Sequence, residues 1–196
     1  MQLRLSQVIN LFCILFFLQS CSSTPTAIQE LVDLKPLKLT NAAGVQINIQ
    51  DLQSANGLVI IAHSAECPIV RRYSARIEEL QKQLADRLVN VVYVNTFDVG
   101  QKDIVTRFQI DFKVKTPIFF DEHSQVTHAM NLQKTSEAVF LKPNGQIIYR
   151  GAIDDSLDYE MGHPPSRNFL LEAVFANLDH QVNKPVYIPA KGCSIN

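Results

Sequence analysis

Two cysteines, Cys67 and Cys193, are the residues of this chain best placed to do chemistry. A thiolate attacks disulfides and peroxides and binds soft metals, and the local surroundings decide whether a cysteine becomes one. Cys67 comes after the apolar run Leu58 to Ala62 and the stretch His63-Ser-Ala-Glu66. Pro68 follows it, and then Ile69, Tyr73, Ile77, Leu80 and Leu84 recur at steps of three or four. The run predicts a buried strand, and the spacing predicts a helix running on towards Leu88. Pro68 suits a first helical turn, where its missing N–H is not needed. A sulfur at such a junction faces backbone N–H groups and the positive end of the helix dipole, which favour thiolate over thiol. The alternative is an inert buried thiol, because free cysteine is among the most buried residue types. The loop-to-helix placement favours the reactive one.

The partner of Cys67 follows from the other cysteines. Arg4 and the apolar run Val8 to Leu18 lead into Leu18-Gln-Ser-Cys21. This resembles a bacterial lipoprotein signal, in which the cysteine is lipidated and becomes the new N-terminus. The alternative is an ordinary secretory signal, or an uncleaved anchor. On the lipoprotein reading residues 1–20 are the signal, Cys13 leaves with it, and Cys21 carries the lipid. By resemblance to Gram-negative sorting, Ser22 in place of Asp favours the outer membrane over the inner, with the protein facing the periplasm. Of the four cysteines, Cys67 and Cys193 then remain in a compartment where disulfides persist. Pairing of these two is the favoured expectation; the other is that they never meet, because spacing in sequence sets no distance in space.

The neighbours of Cys67 leave alternatives open. Glu66 would oppose thiolate formation if close, or assist proton transfer if buried. His63 with Cys67 and Cys193 could make a soft copper or zinc site, although His123, His128, His163 and His180 show no ligand spacing. Arg71 and Arg72 raise the local positive potential or form a solvated helix face. Asp154-Asp155 could bind a cation, but a turn or capping pair is the favoured role. Tyr73, at helical spacing, belongs to the core.

The elements that must position these residues are legible in order. Residues 21–33 read as a tether, 34–182 as the domain, and 183–196 as a tail carrying Cys193. Leu37/Leu39 and Val45/Ile47/Ile49, split by Asn41-Ala-Ala-Gly44, predict a hairpin. A second buried strand is expected at Asn90 to Thr96, a helix from Gly100 to Phe108, and a strand over Thr116 to Asp121. Gln125 to Met130 gives a short helical turn. Ser136 to Leu141 and Gln146 to Arg150 flank the turn Lys142-Pro-Asn-Gly145. Leu157 to Arg167 should be irregular and Asn168 to Leu178 helical, with Leu171, Val174, Phe175 and Leu178 on one face. The tail should hold no helix. The pattern is an α/β sandwich with a mixed central sheet, an N-terminal hairpin and helices on both faces. About 175 residues suffice for one such core. A net charge of −1 gives no reason to expect nucleic acid as a partner, and no Gly-rich phosphate loop or other cofactor signature is present.

Cys67-Pro-Ile-Val70, Asp121 after Pro117-Ile-Phe-Phe, Phe140-Leu-Lys-Pro-Asn-Gly145, Tyr149-Arg-Gly-Ala-Ile-Asp-Asp155 and Gly192-Cys-Ser-Ile195 together resemble the thioredoxin-like redoxin superfamily. Within it, the chain is similar to a peroxiredoxin-like branch. The resemblance implies a thioredoxin-like three-layer sandwich and thiol redox chemistry with Cys67 as the attacking thiolate. Cys193 would be the pairing or resolving thiol, with Pro68, Glu66, Thr135 and Ser136 in support. The partners it implies are protein thiols or disulfides, or a redox partner protein. The sequence departs from the pattern at Thr135-Ser136, where the branch has Thr-Pro with a cis bond. A non-proline cis bond costs about 2.5–4 kcal/mol, so a trans or altered loop is expected. Val70 stands where a second cysteine would be, so any resolving thiol comes from elsewhere. A valine there also makes peroxidase chemistry the weaker variant. The alternative function is a non-catalytic module of the same fold that binds copper or a redox partner.

Overall fold

The computed structural model describes residues 30–156, 164–181 and 186–195. The signal, Cys21, most of the tether and His163 lie outside the described residues. The chain begins with the short strands β1 (Lys38–Thr40) and β2 (Gln46–Asn48), then runs through β3 (Gly57–His63), α1 (Pro68–Ala85), β4 (Val89–Asn95) and α2 (Lys102–Asp111). Next come β5 (Ile118–Phe120), α3 (Gln125–Ala129), β6 (Ala138–Leu141), β7 (Ile147–Gly151), α4 (Phe169–Leu178) and β8 (Val186–Ile188). The strands form one sheet in the order β2-β1-β5-β4-β3-β6-β7-β8. β3, β4 and β5 run parallel, β6 lies antiparallel to β3, and β7 lies antiparallel to β6. This is the mixed sheet expected from the sequence.

The central strands explain why the run at Leu58 is apolar without alternation. β3 is buried along its whole length, as a strand covered on both faces must be. Val59 and Ile61 point into a core with Ile77, Leu80 and Leu84 of α1, Phe108 of α2 and Val174 of α4. Leu58 and Ile60 point the other way, towards Leu39, Ile49, Val126 and Met130. Three helices therefore cover one face; α3 and the N-terminal segment cover the other. Among the described residues no helix is long and apolar enough to cross a membrane.

The differences from expectation have local causes. Ile49 does not extend the hairpin, because residues Ile49–Leu52 close into a 3-10 turn that buries Ile49. α1 stops at Ala85, since Leu88 adopts φ 55° to reverse the chain into β4, and Asn56 fastens that corner through Arg87 and Leu88. The tail is more than a helix-free appendage. β8 pairs in parallel with β7, Arg150 opposite Tyr187, and so carries the following residues along the sheet edge towards α1.

Candidate active site

Cys67 is the N-cap residue of α1, and its backbone is extended at φ −68° and ψ 120°, as a residue before proline prefers. Its N–H donates to Ser64 O at 3.2 Å and its carbonyl accepts from Arg71 N–H. The preceding loop is fixed from two sides. Ala65 N–H donates to Asp98 Oδ2 at 2.8 Å, and Ala65 O accepts from Arg71 Nε at 2.7 Å. Asp98 is itself held by Asn95 Nδ2, and Asn95 Oδ1 accepts from the N–H groups of Phe97 and Asp98. Arg71, considered for its charge alone, therefore shapes the loop.

The tail meets this junction across the loop before β6. Thr135 N–H donates to Cys193 O at 3.0 Å, and Cys193 N–H donates to Thr135 Oγ1 at 2.9 Å. Ile195 N–H donates to Gln133 O, Lys134 pairs antiparallel with Ser194, and Ser136 Oγ donates to Lys191 O. Gly192 is required for this approach, because a Cβ there would lie 2.0 Å from Thr135 O. The buried carboxylate of Glu137 accepts from the N–H groups of Gln133 and Lys134, bracing the loop from inside.

The result is two sulfurs 3.5 Å apart, both free, with Thr135 Oγ1 at 3.0 Å from Cys67 Sγ. Burial of Cys67 opposes its ionisation. The hydrogen bonds it receives from Thr135, from the backbone at Val70 and Cys193 and from the Cys193 thiol outweigh that, and hold its pKa below the ordinary thiol value. With Thr135 Oγ1 already accepting from Cys193, its proton is free for Cys67. Cys193 goes the other way: burial, its hydrogen bond to Cys67 and repulsion by a Cys67 thiolate all raise it. The pair thus sheds its first proton from Cys67 and keeps the second on Cys193. Closing to a disulfide bond of about 2.05 Å needs only a small movement of the tail.

The structure thus brings together Cys67, Cys193, Thr135 and Ser136 of the expected residues. Pro68 and Glu66 are exposed, which removes the reading of Glu66 as a buried proton shuttle. No cis peptide bond occurs among the described residues, and Ser136 takes φ 65° in the left-handed region. His63 is buried. Its Nδ1 lies 3.0 Å from Asn95 Nδ2 and its ring sits edge-on to Tyr93 and Phe108. Among the described residues no three His, Cys, Asp or Glu side chains converge on a possible ion. Apolar walls push the His63 pKa down to about 3 by burial, so the ring is neutral. Asp154 has its cation already: Arg76 at 3.1 Å, with Tyr73 Oη donating to its other oxygen. Tyr73 is core, and polar at its tip.

Asn95 and Asp98 are not among the residues expected from the sequence, and Gly192 enters there only as part of the tail motif. Asn95-Thr-Phe-Asp98 carries an Asx-turn signature at a strand end, which could have marked the first two. The motif does not show why Gly192 must be glycine, since the group it approaches, Thr135 O, is far away in sequence.

A family model described as Redoxin matches residues 20–160. No curated protein matches the chain. Among solved structures, it is similar to an uncharacterized conserved protein from Geobacillus kaustophilus at 24% identity, with a TM-score of 0.72 over 84% of this chain and 90% of that one. A hypothetical protein from Sinorhizobium meliloti matches at 20% identity and TM-score 0.72, over 84% and 93% of the two chains. An uncharacterized thioredoxin-like protein from Porphyromonas gingivalis matches at 15% identity and TM-score 0.57, over 78% and 96%. At these identities the likeness is one of fold, and the fold is thioredoxin-like.

Proposed function

The chain belongs to the Redoxin family, and from that premise we propose that it is a thiol-disulfide redox protein whose Cys67 and Cys193 alternate between dithiol and disulfide. The observation that carries this is the 3.5 Å approach of two sulfurs 126 positions apart in sequence, with hydrogen bonds holding the tail in place. A thiolate next to a protonated thiol is the arrangement from which a dithiol is oxidised. Thr135 serves as the donor that stabilises the thiolate, Ser136 fastens the tail through Lys191 O, and Pro68 opens the helix behind Cys67. The partners are protein thiols or disulfides.

Oxidation by diamide followed by intact mass and peptide mapping tests it. One internal disulfide joining residues 67 and 193 is the expected product; two thiols that stay free would end the proposal. An insulin-reduction assay on wild type and Cys67→Ser separates it from the non-catalytic module, which would show no activity to lose.

We further propose that the protein sits in the cell envelope, anchored by lipid on Cys21 and facing the periplasm, with the outer membrane as its site. The support is the sequence Leu18-Gln-Ser-Cys21. Labelled palmitate incorporated into wild type and absent from Cys21→Ser is the expected result; equal labelling would refute it.

A further inference from the structure

The two sulfurs are close together but unequally accessible. Cys67 is 2% exposed, walled by Ala65, Val70 and Thr135, which are fully buried, and overlain by the tail. Cys193 is exposed, and so are its neighbours Lys191 and Ser194. A cysteine of another protein is carried on a backbone that cannot enter a crevice of that kind. Exchange of disulfides needs the incoming sulfur to reach its target directly, and access decides which sulfur is attacked.

We infer that protein partners exchange with this pair at Cys193, and that Cys67 works from inside as the sulfur that leaves and returns. The inference rests on the proposed redox pair and specifies which half faces the substrate. It reverses the expectation that the helix-start cysteine meets the substrate. The substrate class is a protein dithiol or its disulfide. In the oxidising direction a substrate thiolate attacks Cys193 Sγ. A substrate–Cys193 disulfide forms, the Cys67–Cys193 bond breaks, and its electron pair stays on Cys67 as thiolate. The substrate's second thiolate then attacks its own linked sulfur, forming the substrate disulfide and releasing Cys193, which takes up a proton. The substrate is oxidised by two electrons and the pair is reduced by two. In reverse, a mixed disulfide on Cys193 is resolved by attack of the Cys67 thiolate on Cys193 Sγ.

This division of labour fits the local chemistry. A leaving thiol departs faster the lower its pKa, and Cys67 is the member of the pair held low. Thr135 and the helix start receive the departing charge in place.

The test uses the full chain in two variants, Cys67→Ser and Cys193→Ser. The tail's backbone hydrogen bonds to Thr135 involve no sulfur, so serine leaves them in place. Each variant is mixed with a thiopyridyl-activated disulfide carried either on cysteamine or on a single-cysteine folded protein, and pyridine-2-thione release is followed. The ratio of the two rates cancels the intrinsic reactivity of each thiol. With only Cys193 present, the ratio should equal that of free cysteine run in parallel. With only Cys67 present, the protein carrier should be slowed at least about tenfold further, because access limits exchange. Equal ratios in the two variants, or stronger size selection at Cys193, overturn the inference. In parallel, oxidised wild type is acid-quenched after mixing with reduced insulin B chain. The insulin peptide should be linked to the residue 193 fragment; linkage to the residue 67 fragment overturns the inference even where a variant misfolds. The Cys67–Cys193 disulfide itself is read separately by mass, so failure of the inference and failure of the redox pair are told apart.

Discussion

At the scale of single residues, burial raises the pKa of Cys67 and lowers that of His63, and at Cys67 the hydrogen bond from Thr135 helps to reverse the effect. Thr135 Oγ1 donates its proton towards Cys67 and accepts from the tail. Replacing it with valine removes the donor while keeping the shape, so the inflection in Cys67 alkylation by iodoacetamide should move to higher pH, with the plateau rate retained. An unmoved inflection would show that the helix start alone sets the thiolate. The lowered Cys67 value carries a stability consequence for the reduced protein. Between its folded and unfolded values the native state binds fewer protons, so its contribution is fully present above the ordinary thiol range and lost as pH falls through the folded value. His63 is lowered too, to about 3 from 6.5, and the folded state keeps it neutral. Its contribution is present above pH 6.5 and lost as pH falls towards 3. By pH 4.5 this amounts to about 2–3 kcal/mol. Urea unfolding at pH 7 and 4.5 should therefore give a smaller difference in His63→Gln than in wild type. Matching differences would mean that the folded chain takes up the proton on His63 as readily as the unfolded one.

At the scale of elements, the strand–loop–helix order around Cys67 was legible because period and punctuation agree. Five apolar residues, a proline and a three-to-four spacing admit few other local structures. The late hairpin was equally plain from Lys142-Pro-Asn-Gly145, where Gly145 supplies a φ of 87°. The strand β8 was not legible. Val186 to Ile188 is three residues between prolines, and only its parallel pairing with β7 makes it a strand. The contact of the tail with the loop at residues 133–136 was also beyond local reading, because every hydrogen bond in it, backbone or side chain, joins residues more than fifty positions apart in sequence. Alanine at Gly192 meets Thr135 O at 2.0 Å and must lift the tail. In Gly192→Ala, diamide should form the Cys67–Cys193 disulfide more slowly by at least about tenfold, since sulfur exchange requires direct approach, while far-ultraviolet circular dichroism stays that of wild type. An unchanged rate would mean that the tail reaches Cys67 by another route.

At the scale of the whole molecule, a Redoxin-family fold brings together two thiols that lie far apart in sequence. The sheet could be read from the sequence because each buried strand advertises itself. The distance between Cys67 and Cys193 could not, since it depends on where β8 docks. Joining two residues 126 positions apart should stabilise the fold by about 5 kcal/mol in the chain-entropy model. The denaturation midpoint in urea should accordingly be higher for the oxidised than for the reduced protein, and the two should coincide in Cys193→Ser. Coinciding midpoints in wild type would show that the bond strains the native state as much as it restrains the unfolded one.

The docking of β8 against β7 has a consequence far from the sulfurs. A covalent link between residues 67 and 193 would enclose β4 to β8 within one loop of chain and leave the hairpin β1–β2 outside it. Opening motions of the tail and of α4 would then need that loop to stay closed, whereas fraying of the hairpin would be unaffected. Amide protons of β8 and α4 should therefore exchange with deuterium more slowly in the oxidised protein, and those of β1 and β2 at the same rate in both states.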